Sequence, residues 1–200
     1  EGKSKDFLNN VEDIIKSHHN VHLLDIDSGI DTNRTVVTFV GHPDNVIDTA
    51  YQLIAYASKA IDMRNHQGEH PRMGSTDVCP LIPLDGVSMK DCINYSKQLA
   101  KKVGKNLNIP VFLYENSAET KNRRNLSNIR RGEYEEMENK MSNDKWAPDF
   151  GPNKFNHITG CTAIGAREFL IAYNINLNTT NKKIATDIAL DIREAGRLKR

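Results

Sequence analysis

The segment TVVTFVGHPDNVIDTAYQLIAYASKA, residues 35–60, contains the two local patterns from which the fold is inferred. Thr35 to Val40 is a run of β-branched and aromatic residues that ends at Gly41, which is typical of a strand. Pro43 then begins a stretch to about Ala60 in which apolar residues recur every three or four positions. This spacing predicts a helix that packs one face against a core.

Strand and helix patterns alternate along the rest of the chain. Further strands are predicted at residues 21–26, 77–84, 110–114, 162–164 and 168–177. Further helices are predicted at residues 4–17, 88–103 and 183–195, with one or two exposed helices in 116–145. The pattern favours an α+β fold, an α/β sandwich in which a mixed β-sheet of about six strands has helices packed on one face. No glycine-rich phosphate loop follows a strand, so a nucleotide site has no support.

Composition narrows the class of partner. The 200 residues carry 27 Lys and Arg against 26 Asp and Glu, which gives a net charge of +1. So small a charge gives no electrostatic reason to expect nucleic acid or a membrane surface as a partner. No apolar run is long enough to cross a bilayer, and the polar N-terminal residues do not resemble a secretory signal. The 3 cysteines are widely spaced without a C-x-x-C pair, so we expect reduced thiols and a cytoplasmic location.

Residues 62–77, DMRNHQGEHPRMGSTD, are the densest group of ionisable side chains and fall between a predicted helix and a predicted strand. His66 to His70 matches H-x-x-E-H, a zinc-peptidase pattern that requires both histidines on one helical face. Pro71 disfavours helical geometry at His70, and Gly68 weakens a helix through the motif. We therefore expect no metal site here, and a non-helical catalytic or binding loop is favoured.

A second group of polar residues flanks the turn between the first two strands. Asp25 and Asp27 should lie on the same face of a strand, because side chains alternate along it. Asn33, Arg34 and Thr35 follow the turn. Asx-turn chemistry in a tight connection explains these residues as well as a functional site does. The residues alone leave the two interpretations open.

Seven segments together resemble the glutamate formiminotransferases, in the order and spacing of that family. They are DIDSGIDTNRTVVTFVG (25–41), IDMRNHQGEHPRMGSTDVCPLIP (61–83), IPVFLYE (109–115), IRRGEYE (129–135), WAPDFGP (146–152), GAREFLIAYNINL (165–177) and IREAGR (192–197). The resemblance is to the N-terminal subdomain of the transferase part of formiminotransferase-cyclodeaminase. It implies that residues 1–196 form this subdomain and that residues 197–200 begin the linker and second subdomain, whose remainder is absent. The fold that it implies is a mixed sheet with helices on one side.

The resemblance also implies an activity and a site. The family transfers a formimino group from N-formimino-L-glutamate to tetrahydrofolate, its co-substrate, in histidine degradation. The family's catalytic histidine matches His70, and an acidic residue that faces the same site matches Asp27. The expected folate-binding residues are Gly151, Pro152, Asn153, Lys154, Phe155, Asn156, His157, Ile158, Thr159 and Gly160.

Proton transfer gives His70 a plausible chemical role. An attacking folate amine must lose a proton and the leaving glutamate nitrogen must gain one, and an imidazole near neutrality can do both. Asp27 is expected to hold the imidazolium or to orient the folate amine, as a triad carboxylate does. His66, Arg72 and Asn33 are weaker candidates for binding substrate. A structural ion pair is an equal alternative for Arg72.

Some features keep two interpretations. Trp146, Phe150 and Phe155 either stack on a pterin or anchor the loop to the core. The basic residues of 121–131 are expected to form a solvated helix face, with attraction of an acidic folate tail as the alternative. The family self-associates, but no surface in the sequence identifies an interface. Because the second subdomain completes the folate cleft in the family, the alternative function is a catalytically incomplete subdomain that serves as a folate-binding or interaction module.

Overall fold

The computed structural model describes residues 1–171, 175 and 177–192, and divides the chain into two compact units at residues 168 and 169. The first unit contains five strands, which are β1 (Val21–Gly29), β2 (Arg34–Gly41), β3 (Val78–Leu81), β4 (Val111–Glu115) and β5 (Thr162–Ala166). Its α-helices are α1 (Lys5–Ser17), α2 (Pro43–Ala60), α3 (Met89–Leu107), α4 (Leu126–Arg130) and α5 (Glu133–Met141). Short 3-10 helices lie at Lys121–Arg123 and Asp144–Trp146.

The strands form two separate sheets. Strands β1 and β2 are an antiparallel hairpin, and β3, β5 and β4 form a parallel sheet in that order. The prediction of one mixed sheet of about six strands is therefore wrong, since the described residues contain five strands in two sheets. The strand predicted at 168–177 is absent at residues 168–171, 175 and 177, and its other residues lie outside those described. Local patterns indicate strands, but pairing depends on residues far apart in the chain.

The parallel sheet is covered on both faces. On one face, Val111 and Leu113 pack with Ile164 against buried residues of α2 and α3. On the other face, Phe112 and Tyr114 pack against buried residues that include those of α4 and α5. The prediction that helices pack on one face only is wrong for this sheet. Burial on both sides explains why β4 is a continuous apolar run rather than an alternating one.

The hairpin has one buried and one exposed face. Val11 and Ile15 of α1 pack with Val21, and further residues of α1, β1, β2 and α2 pack against this cluster. Asp25 and Asp27 are exposed and flank the half-buried Ile26, as the alternation of side chains predicts. One face of the hairpin therefore remains available beside the site described below.

Local signals at the helix ends are confirmed. Pro43 occupies the first turn of α2. Ser88 caps α3, where its hydroxyl accepts from the Asp91 N–H at 3.2 Å and Asp91 accepts from the Ser88 N–H at 3.0 Å. This reciprocal arrangement is the predicted capping box.

The second unit is described only in part. It contains α6, Lys182–Ile192, close to the helix predicted at 183–195, whose last three positions lie outside the described residues. Among the described residues of both units, no helix is long and apolar enough to cross a membrane.

Candidate functional site

The segment between α2 and β3 lies against the turn of the β1–β2 hairpin. The Asn33 side-chain amide donates to the Gln67 carbonyl at 2.7 Å, and His66 Nε2 donates to the Asn33 carbonyl at 3.0 Å. The Glu69 N–H donates to the Asp31 carbonyl at 3.2 Å. Asn33 itself adopts a positive φ of 45°, which asparagine tolerates better than most residues. These bonds fix residues 66–70 in a non-helical path beside the hairpin.

Both ring nitrogens of His70 have partners. Nδ1 lies 2.7 Å from the Pro71 carbonyl, and Nε2 lies 2.8 Å from Arg34 Nη1. A carbonyl can only accept and a guanidinium can only donate, so Nδ1 carries the hydrogen and Nε2 presents its lone pair. Burial, and then the charge of Arg34, hold the pKa of His70 below its ordinary value. The imidazole is therefore neutral at neutral pH, with Nε2 as its only basic atom.

An ion pair supports the loop that follows His70. Arg130 of α4 contacts Asp77 through Nη2 and Oδ2, and the two side chains are only 17% and 13% exposed. The other Asp77 oxygen accepts from the Met73 N–H at 3.0 Å. Both charges act on the pKa of His70, Arg130 lowering it and Asp77 raising it. The pair thus links α4 to the backbone beside the histidine.

The loop predicted to bind folate packs on this same segment. The Met63 N–H donates to the Ile158 carbonyl at 2.9 Å, and the Ser75 N–H donates to the Thr159 carbonyl at 2.8 Å. Gly160 has a φ of 66°, and a Cβ there would lie 2.2 Å from the Met73 carbonyl. Only glycine fits so close an approach of two backbones. Residues 61–77 therefore contact the hairpin turn through residues 66–69 and the 151–160 loop through residues on either side of them, at 63 and at 73–75.

A comparison with protein families finds a model that matches most of the chain. A sequence model described as "Formiminotransferase domain, N-terminal subdomain" matches residues 1–167. The chain belongs to the formiminotransferase family. This membership confirms the resemblance on which the expected site was based.

Relatives in this family differ in their total length. The chain is 46% identical over 197 residues to the formimidoyltransferase-cyclodeaminase of Dictyostelium discoideum, covering 98% of this chain and 36% of that protein. It is 44% identical over 196 residues to the glutamate formimidoyltransferase of Streptococcus pyogenes serotype M1, covering 98% and 66%. For the glutamate formimidoyltransferase of Thermoplasma acidophilum the identity is 42% over 195 residues, covering 96% and 64%. The chain thus spans about a third of the length of the formimidoyltransferase-cyclodeaminase and about two thirds of the length of the two glutamate formimidoyltransferases.

Within this formiminotransferase subdomain, the aromatic residues before and in the 151–160 loop serve as anchors. Phe155 is 7% exposed and packs 5.2 Å from the Tyr134 ring, measured between centroids. Phe150 and Trp146 pack against the two core clusters of the parallel sheet. This packing favours the anchoring interpretation over stacking on a pterin. The exposed polar side chains of the loop are those of Asn153, Lys154 and His157.

The placement of Arg72 favours the structural ion pair. Glu135 accepts from both terminal nitrogens of Arg72, at 2.6 and 2.9 Å, and Glu133 accepts at 3.3 Å. The Arg72 side chain is 13% exposed. A cavity of about 460 Å³ adjoins the pair and is lined by Gln67, Gly68, Arg72, Gly132, Glu133 and Glu135. With two carboxylates and one guanidinium, its lining suits a dianionic substrate poorly.

Two other weak candidates for substrate contact are held by internal bonds. The Asn33 amide donates to Gln67, its oxygen accepts from the Gly2 N–H, and the residue is 7% exposed. His66 donates through Nε2 to Asn33, while its buried Nδ1 has no hydrogen-bond partner. Burial lowers the pKa of His66. We interpret Asn33 as a residue that positions residues 66–70, the His70 segment.

The H-x-x-E-H segment does not form the helix that a zinc peptidase requires. His66 and His70 face different partners, Asn33 and Arg34. In the described part of the chain, no three His, Cys, Asp or Glu residues are grouped so that they could hold a metal ion.

Asp27 lies on the same hairpin face as Arg34 and has no direct bond to His70. It pairs with Val36 across the hairpin, so its side chain shares a face with that of Arg34, two residues from Val36. None of the contacts among the described residues joins Asp27 to His70. Its catalytic role therefore stays a prediction.

Sequence reasoning missed the partners of the buried arginines. The basic residues of 121–131 were expected on a solvated helix face, which is correct for the exposed Lys121, Arg124 and Arg131. It is wrong for Arg130, which pairs with Asp77, and for Arg123, which pairs with Asp149 at 2.7 Å. Arg34 was noted only as one of the polar residues that flank the hairpin turn, for which turn chemistry and a functional site were left as open alternatives. Asp77, Arg130, Asp149 and Arg34 all lie in segments that carry the family resemblance, which was the one available signal.

Proposed function

We propose that this chain forms the N-terminal part of a glutamate formimidoyltransferase, which transfers the formimino group of N-formimino-L-glutamate to tetrahydrofolate. Membership of the formiminotransferase family and similarity to relatives with that name support the activity. The observation that carries the mechanism is the neutral imidazole of His70, whose only basic nitrogen is Nε2. It lies in a segment that contacts both the hairpin and the 151–160 loop.

The transfer requires the attacking folate nitrogen to lose one proton and the leaving glutamate nitrogen to gain one. The folate amine attacks the amidine carbon, and a carbon–nitrogen bond forms to give a tetrahedral intermediate. His70 Nε2 accepts the proton that the attacking nitrogen loses. Collapse of the intermediate breaks the bond to the glutamate nitrogen, which takes the proton back from Nε2. The imidazole is neutral again at the end, so no other acid, base or oxidant is consumed.

The surroundings of His70 suit this exchange. A pKa below the ordinary value keeps Nε2 unprotonated at neutral pH and makes the imidazolium a ready donor once it forms. The bond from Nδ1 to the Pro71 carbonyl fixes the tautomer. Asp27, on the exposed face of the hairpin, is proposed to orient the folate amine or to stabilise the imidazolium.

Tetrahydrofolate is proposed to contact the 151–160 loop through its exposed side chains, chiefly Asn153, Lys154 and His157. Backbone bonds to residues 63 and 75 hold that loop close to the His70 segment. The free thiols of Cys79, Cys92 and Cys161 fit a reducing compartment, which supports the proposed cytoplasmic location. Self-association is proposed from the family alone.

A second candidate is a catalytically incomplete subdomain that binds folate or a protein partner. The coverage favours considering it, because the chain spans 36% of one relative and 66% of another. The deciding assay supplies N-formimino-L-glutamate and tetrahydrofolate to the 200-residue chain and to the full-length protein. Turnover by either supports the transferase. No turnover by the full-length protein contradicts it, and folate binding without turnover supports the second candidate.

A further inference from the structure

The bond between Arg34 and His70 occupies the atom that the proposed reaction needs. Arg34 Nη1 donates to His70 Nε2 at 2.8 Å, and the other ring nitrogen is held by the Pro71 carbonyl at 2.7 Å. Nε2 therefore cannot accept a proton from a substrate while the guanidinium stays in place. A protonated imidazole would also lie against a permanent positive charge, which is unfavourable at this distance. The arrangement is that of a base held inactive.

Arg34 differs in its partner from three other buried or half-buried arginines of the described chain, and it resembles the half-buried Arg167 only in having no ion pair among the described residues. Arg72, Arg123 and Arg130 each pair with a carboxylate of the protein. Arg34 forms no ion pair with any described residue, and His70 is its one side-chain partner there. A guanidinium that lacks a carboxylate prefers one to a neutral imidazole, because bonds between charged partners are stronger.

We propose that Arg34 masks His70 Nε2 in the free protein and releases it when a carboxylate of the substrate draws the guanidinium away. The inference rests on the proposed function, in which the substrate is an N-substituted glutamate with two carboxylates. Arg34 is then both the residue that binds a substrate carboxylate and the residue that couples this binding to release of the base. No bond to carbon is made or broken in this step, since one hydrogen-bond acceptor replaces another.

The charged groups around His70 shift its pKa, and a titration of His70 reports their combined effect. Arg34 and Arg130 lower the pKa of His70, while Asp77 raises it, and burial is the largest cause of the lowered value. Asp27 lies on the same hairpin face as Arg34 without contacting the imidazole. Arg130 and Asp77 are bound to each other, so the part of the electrostatic shift that a ligand can change is that of Arg34.

Nuclear magnetic resonance of the His70 Cε1–H group, titrated with pH, tests the inference without requiring turnover. L-Glutamate serves as the carboxylate probe on the 200-residue chain. In the wild-type chain, glutamate should raise the pKa of His70. In Arg34→Gln the pKa should be raised without glutamate and should no longer respond to it. Arg124→Gln is the matched control, because Arg124 is exposed and outside the site, and it should behave as the wild type does.

Carbethoxylation of His70 gives an independent readout. Diethyl pyrocarbonate needs the lone pair of a neutral imidazole, so removal of the guanidinium should speed modification about tenfold, the factor for losing a charge-assisted hydrogen bond. Glutamate should likewise speed the modification of His70 by diethyl pyrocarbonate in the wild-type chain. Equal pKa values of His70 in wild type and Arg34→Gln would overturn the inference.

The wild-type chain alone can also overturn it, if glutamate changes neither the pKa nor the modification rate. This arm holds even if Arg34→Gln does not fold. A response to glutamate in a full-length protein that lacks transferase turnover would preserve this inference and refute the proposed function. Turnover without that response would do the reverse.

Discussion

Replacing Asp149 by asparagine tests the buried ion pair that anchors the 151–160 loop to the parallel sheet. Arg123 Nη1 lies 2.7 Å from Asp149 Oδ1, and the side chains are 7% and 12% exposed. Asp149 Oδ2 also accepts from the Leu113 N–H at 2.7 Å. The carboxylate therefore joins the start of the loop both to β4 and to the 3-10 turn that carries Arg123.

The expected magnitude follows from what each substitution leaves unpaired. Removing one member of a buried ion pair costs about 3–5 kcal/mol of unfolding free energy. In Asp149→Asn the guanidinium keeps the carbonyls of Lys145 and Ala147 as acceptors, so we expect about 3 kcal/mol, the lower end. Asp149→Ala also removes the acceptor of the Leu113 N–H, which adds about 1 kcal/mol. Either loss is a large part of the 5–15 kcal/mol typical of a domain.

Urea unfolding measures these changes. Circular dichroism reports the whole chain, and the fluorescence of Trp146, the one tryptophan in the sequence, reports the pair directly. Its ring centroid lies 5.9 Å from Arg123 Cζ. Glu119→Gln is the control, because it breaks the exposed pair with Lys97 and should cost about 0.5 kcal/mol. If Asp149→Asn costs no more than this control, the buried pair does not anchor the loop.

Three further perturbations have defined outcomes. Gly160→Ala should lower the unfolding free energy by about 3 kcal/mol through backbone strain and overlap with Met73. Gly86→Ala, with strain but open space, should cost about 1 kcal/mol, and equal losses in urea unfolding would contradict the close contact. Burial raises the pKa of Cys79 to about 12, so mass spectrometry should find this thiol unmodified by iodoacetamide at about pH 8 unless urea is present. Because the pKa of His70 is lowered on folding, the unfolded chain takes up the proton first as the pH falls, and stability should decline below the ordinary histidine pKa. His70→Gln should make that decline shallower, and an unchanged slope would contradict the shift.

The elements that the sequence predicts well are those whose signals are local. Helix α2 follows from its apolar spacing and Pro43, and α3 follows from the Ser88 cap. Strand pairing is not local, and the prediction of a single mixed sheet is wrong for that reason. The hairpin pairs β1 with β2, while β5 inserts between β3 and β4 from far along the chain.

The same distinction explains the site. Residues 62–77 could be singled out because their ionisable groups are adjacent in sequence. The partner of Arg130 could not be inferred, because Asp77 is 53 positions away and a basic run usually marks a solvated face. Arg34 and His70 are 36 positions apart, and only the docking of the loop on the hairpin brings them together.

The proton-shuttle role of His70 is tested most directly by the steady-state turnover of His70→Gln in the full-length protein, with N-formimino-L-glutamate and tetrahydrofolate as substrates. Loss of a general acid–base group should lower kcat by about 10²–10⁴-fold. Arg124→Gln, an exposed substitution away from the site, should leave kcat unchanged. Turnover of His70→Gln close to that of the wild type would contradict the role of His70 as the proton shuttle.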